Sequence, residues 1–146
     1  KENIPDSIAE KIYVKHFPGP IFFGFAPALQ AMADSLPDVR VVVFRMMNVP
    51  YIDQTGLYAL EEVVLSLEKR NIAVVITGLK NQPYRMLQRI NLVPGLVPEN
   101  YLFDKVEDCI QWLGEKLEQS EGGEQVFFEE LNDFRGKYKV PVKYSM

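Results

Sequence analysis

The chain has 146 residues, a net charge of −4 and an ordinary globular mixture, 47% hydrophobic and 25% charged, enough for one domain with a real core and too apolar for disorder. Scattered Lys and Arg give no basic stripe for nucleic acid, the single Cys109 excludes an internal disulfide and fits a reducing compartment, and no apolar stretch reaches the roughly 18 to 20 residues that span a bilayer. The chain begins with Lys1 and not Met, so the expectation is that Lys1 follows a multi-span hydrophobic region in the intact protein.

Residues 1–10 are polar and contain Pro5, and read as a lead-in or linker. Ile12-Tyr13-Val14 alternates as a strand, and Ile21-Phe22-Phe23, after the Gly19-Pro20 turn signal, reads as a second strand beside it. Pro27 suits the first turn of a helix, which carries Leu29, Met32, Ala33 and Leu36 at helical spacing and ends before Pro37. The run Val41-Val42-Val43-Phe44, within a strand over 39–46, is apolar throughout, as in a strand buried on both faces.

After the Tyr51-Ile52-Asp53-Gln54-Thr55-Gly56 turn, a helix over about 56–70 places Leu57, Leu60, Val64 and Leu67 on one stripe. Another buried strand covers 72–76 and a third helix covers 81–91. After the Pro94-Gly95 turn, Tyr101-Leu102-Phe103 forms a short strand. Asp104 and Glu107 have capping-box spacing ahead of a last helix through Val106, Cys109, Ile110, Leu113 and Leu117. Residues 118–125 are polar and Gly-containing, hence a linker. Phe127, Leu131 and Phe134 then suggest a short amphipathic helix before the tail, Lys137 to Met146. Strands alternating with helices imply an α/β sandwich, a mainly parallel, mixed sheet covered by helices.

The Asp53 turn joins a buried strand to an amphipathic helix, and it gathers a carboxylate, a hydroxyl and unpaired backbone N–H groups at a helix N-terminus. Such a turn can hold an anion, accept a phosphate or dock a partner. Its plain structural explanation is a helix cap, from either Asp53 or Thr55. On the helix that follows, Tyr58, Glu62, Leu65 and Lys69 lie opposite the apolar stripe with Glu61 beside them, and the five form a candidate docking face. An enzyme is not expected: His16 is a lone histidine, Cys109 sits on an apolar helix face, and neither a phosphate-binding loop nor a dinucleotide fingerprint occurs. No metal or cofactor is expected. Met32, Met46, Met47, Met86, Phe22, Phe23 and Phe25 read as core.

In register, Gly19-Pro20-Ile21-Phe22-Phe23-Gly24, Asp53-Gln54-Thr55-Gly56 and Val74-Val75-Ile76-Thr77-Gly78 resemble the STAS domain of sulfate transporters and anti-sigma factor antagonists. The likeness is closest to the cytoplasmic STAS domain of SulP-type anion transporters and runs from Lys11 to Leu117, leaving 118–146 as an extension. It implies a non-catalytic regulatory or assembly domain at the cytoplasmic face of the inner membrane. Its partners would be the transport domain of the same polypeptide, a regulatory protein, and a nucleotide or anion at the Asp53 to Gly56 turn. In the antagonists a phosphorylatable Ser or Thr directly follows this Asp, and here Gln54 stands there, which favours the transporter branch. Thr77-Gly78 matches a second regulatory position of some stressosome proteins. The alternative is a stand-alone antagonist or stressosome component.

Overall fold

The computed structural model describes residues 4–118 and 122–137; residues 1–3, the middle of the expected linker and the tail beyond Lys137 lie outside the described residues. Four strands, β1 (Ile12–His16), β2 (Val41–Arg45), β3 (Ala73–Thr77) and β4 (Leu102–Phe103), pair side by side in sequence order. Every pairing is parallel, with Tyr13 opposite Val42, Val42 opposite Val74 and Ile76 opposite Leu102. Val41 to Phe44 and Ala73 to Thr77 are all buried, which is why these runs show no polar alternation. The α/β fold is the one expected, and among the described strands its sheet is wholly parallel.

Seven helices surround the sheet among the described residues: α1 (Asp6–Ala9), α2 (Ala26–Asp34), α3 (Gln54–Lys69), α4 (Asn81–Arg89), the single turn α5 (Leu92–Gly95), α6 (Val106–Glu118) and α7 (Gly123–Arg135). Each parallel pairing of successive strands needs a crossover, and α2, α3 and α4 lie in the three crossovers. Helix α2 packs on α3, while α6, which leaves the β4 edge, packs on β3, β4 and α1. The polar lead-in therefore folds in part: α1 brings Ile8 to complete burial.

The expected strand at Ile21 to Phe23 is not formed. Only Ile21 pairs, in an isolated parallel bridge to Ile52, and a 3-10 turn over Phe23–Phe25, closed by the Phe25 N–H donating to the Phe22 carbonyl at 2.8 Å, carries the chain straight into α2. The capping box expected at Asp104 and Glu107 also does not close, since among the described residues no helix N–H donates to the Asp104 carboxylate.

Helix α7 falls within the 118–146 extension and packs along the N-terminal edge of the sheet. Glu124 bridges Lys11 (2.8 Å) and Arg40 (2.9 Å), the residues just before β1 and β2. The Arg40 guanidinium lies 4.3 Å from the centre of the Phe128 ring, and Arg135 donates to the carbonyl of Ile72, just before β3, at 3.0 Å. Phe127 stacks on Tyr101, which precedes β4. The buried stripe is Phe127, Phe128, Leu131 and Arg135, and Phe134, expected on it, is exposed.

Candidate functional site

The Asp53 turn and the Thr77-Gly78 turn emerge at the C-terminal ends of adjacent strands, β2 and β3, where open parallel sheets place their sites. They are tied together: the Met46 N–H donates to the Thr77 carbonyl at 2.8 Å. Gly78 has φ of 70°, and a Cβ there would sit 2.8 Å from the Met47 Cβ, so both its backbone angle and its neighbour require glycine. Thr77 itself is buried.

Ile52 is held as if it were a strand between two partners. On one side the Ile21 N–H donates to the Tyr51 carbonyl (3.0 Å) and the Asp53 N–H donates to the Ile21 carbonyl (3.1 Å). On the other the Gln82 side-chain amide takes the place of a strand, accepting from the Ile52 N–H at 2.9 Å and donating to its carbonyl at 3.1 Å. Gln82 escaped the sequence reading because a polar residue in the first turn of a helix carries no mark of its partner.

Asp53 has extended backbone and caps α3: its Oδ1 accepts from the Gly56 N–H at 2.6 Å. The helix starts at Gln54, two residues earlier than expected, and this decides between the two caps. Thr55 lies inside the first turn, exposed, and its hydroxyl donates to the same Asp53 oxygen at 3.1 Å. Thr55 is therefore no cap. Gly56 is forced by close approach, because a Cβ would lie 2.5 Å from the Ile21 carbonyl oxygen. Gln54 is exposed and donates from Nε2 to the Tyr58 hydroxyl at 2.8 Å.

Of the candidate docking face, Glu62 and Lys69 are exposed, while Tyr58 and Leu65 are half-buried and packed against the core. Glu61 is fully buried. At 100° per residue it borders the stripe on the flank next to Leu57, so core packing extends past the apolar residues to cover it.

The sequence reading placed Phe22, Phe23 and Met47 in the core, and the structure turns them outward. They are 46%, 67% and 47% exposed, and Tyr51 beside them is 46% exposed. Ile21 alone takes the core position, since the 3-10 turn starting at Phe23 breaks the strand alternation that would have buried its ring. The Phe22 and Tyr51 rings lie 6.4 Å apart. Four large apolar side chains are thus exposed on the segments next to the capped turn. The sequence held one clue: Gly19-Pro20 and Gly24 leave only three residues between them, short for a strand.

Burial pushes the Cys109 thiol up to about 12, so it stays protonated and inert at neutral pH. His16 is exposed and shares a 3.0 Å contact with Arg45. Among the described residues, no helix is long and apolar enough to cross a membrane.

The STAS domain family model matches residues 3–109. The chain belongs to the STAS domain family. A solved sulfate transporter family protein from Wolinella succinogenes is 28% identical, superposes with a TM-score of 0.71 and covers 81% of this chain and 93% of its own. The SulP transporter STAS domain from Vibrio cholerae is 26% identical, with a TM-score of 0.66 over 80% of this chain and 88% of its own. The bicarbonate transporter BicA from Synechocystis is 27% identical over 93 residues, 64% of this chain and only 16% of the length of that relative. The STAS domain is thus related to domains of SulP and bicarbonate transporters.

Proposed function

We propose that this STAS domain is the regulatory and assembly module of a SulP-type inorganic anion transporter, of the sulfate or bicarbonate kind. It sits on the cytoplasmic side of the inner membrane and acts without chemistry of its own. Its work is protein–protein contact with the transport domain of the same polypeptide, made around the Asp53 turn. The observation that carries this reading is the exposure of Phe22, Phe23, Met47 and Tyr51 on the segments next to that turn, with the Phe22 and Tyr51 rings 6.4 Å apart, since exposed apolar side chains grouped on a surface mark interaction sites.

Docking is favoured over anion or nucleotide capture at the same turn. The Gly56 N–H already donates to the Asp53 carboxylate, so an incoming anion would have to displace one negative charge and lie beside it. A regulatory partner protein would use the same surface, with Glu62 and Lys69 at its margin.

Photo-crosslinking tests the proposal. With a benzophenone amino acid at position 23 in the intact protein in membranes, an adduct to the transport domain is expected. The same label at Glu115, exposed on α6, should give none. Adducts from 115 and none from 23 would defeat the proposal.

A further inference from the structure

Beyond the Asp53 turn, at the far side of the same sheet edge, a cleft of about 210 Å³ opens between the chain leaving β3 and the end of β4, lined by Leu79, Tyr84, Glu99, Leu102, Phe103 and Asp104. Leu79 lies two residues past β3 and Asp104 directly follows β4, so the cleft lies at the carboxyl ends of neighbouring parallel strands. Leu79, Tyr84, Leu102 and Phe103 are half-buried and packed on the core. The Phe103 ring is further braced by Trp112 at 5.3 Å. Glu99 and Asp104 are exposed. The Tyr84 hydroxyl donates to Glu99 at 2.8 Å and fixes that carboxylate, while the Asp104 carboxylate has neither a hydrogen bond nor an ion pair among the described residues.

We propose that this cleft binds an organic cation, a guanidinium or ammonium group on a short alkyl stem. Aromatic and aliphatic walls suit the stem and the flat face of a guanidinium. The two carboxylates supply the counter-charge, one of them already oriented and the other free to pair. An anion would meet both carboxylates, and the volume is below the roughly 300 Å³ at which drug-sized pockets begin, which fits one side chain or one small amine. Lys80 and Lys105 adjoin the cleft in sequence and do not line it. The inference is independent of the proposed transport role.

The test is an amide NMR titration of the 146-residue chain with butylguanidinium chloride, at matched ionic strength, against butylurea as the neutral isostere. Saturable shifts are expected at Leu79, Phe103 and Asp104 with the cation, and roughly tenfold weaker binding with the urea, about 1.4 kcal/mol. The double variant Glu99→Gln with Asp104→Asn should lose binding by a similar factor and keep the native spectrum elsewhere. An acetyl-Ala-Arg-Ala-amide peptide distinguishes the sources: tighter binding than butylguanidinium assigns the cleft to a side chain of a partner protein, and equal or weaker binding assigns it to a free small cation. Absent shifts at these amides, an equal response to butylurea, or undiminished binding in the double variant would overturn the proposal.

Discussion

Removing the Asp53 carboxylate should destabilise this domain by about 1.5 kcal/mol, and removing the Thr55 hydroxyl two residues later should do almost nothing. The Asp53 Oδ1 satisfies one orphan N–H of α3 at 2.6 Å and also accepts from Thr55. Loss of an N-cap acceptor typically costs ~1 kcal/mol and up to about 2, and an ionised acceptor on a half-buried bond belongs in the upper part of that range. For a domain of this size that corresponds to a Tm lower by roughly 5 °C. Asp53→Asn keeps an oxygen in place and should stay within about 0.5 kcal/mol of the parent. Thr55→Ala, at an exposed position, should do the same. Urea and thermal unfolding followed by circular dichroism measure all three. If Thr55→Ala melted as low as Asp53→Ala, the assignment of the cap to Asp53 would be refuted.

Gly56→Ala should cost about 1 to 3 kcal/mol, because its methyl meets the Ile21 carbonyl oxygen and not a movable side chain, and Gln82→Leu should cost about as much by stranding the polar groups of Ile52; urea midpoints report both. Phe128→Ala should lower stability by about 3 kcal/mol and the exposed Val126→Ala by less than about 0.5, a contrast that chemical unfolding resolves and that would vanish if α7 did not pack on the sheet. Burial pushes the Glu124 carboxyl up, but the Lys11 hydrogen bond and the charges of Lys11 and Arg40 outweigh it, and the net shift is below the ordinary 4.5. Its contribution is therefore present above that value and is lost as pH falls through the lowered folded-state value, so Glu124→Gln should flatten the acid limb of a stability–pH curve. Incubation with an anti-sigma-type kinase should leave Thr55 unmodified by mass spectrometry, since a phosphate there would crowd the Asp53 carboxylate that its hydroxyl now serves.

Much of the fold was legible because its signals are local. Val41 to Phe44 and Val74 to Ile76 read as doubly buried strands, and α3 declared itself through Leu57, Leu60, Val64 and Leu67. What escaped depends on partners distant in sequence. Ile21 has strand-like bonds to Tyr51 and Asp53 but no second paired residue, and nothing local tells a bridge from a strand. Helix α7 was expected with Phe134 inward, yet Arg40 lies against Phe128, and burial of the Arg135 stem carries the stripe round the other way. Glu61 was expected beside the outward face from its helical position, although it sits at the margin of a wide buried arc. At the candidate site both Asp53 and Thr55 have side chains able to cap, and only the true start of α3 separates them. The exposure of Phe22, Phe23 and Met47 was hidden by the sound general rule that such residues go inside.

The central claim, that this surface couples the domain to an attached transport domain, is tested most directly by anion uptake into vesicles carrying the full-length protein with Phe23→Ser and Tyr51→Ser together. The account predicts clearly impaired uptake at equal protein levels, with the isolated domain melting within about 0.5 kcal/mol of the parent because both side chains face solvent. Uptake at the parent rate would contradict it.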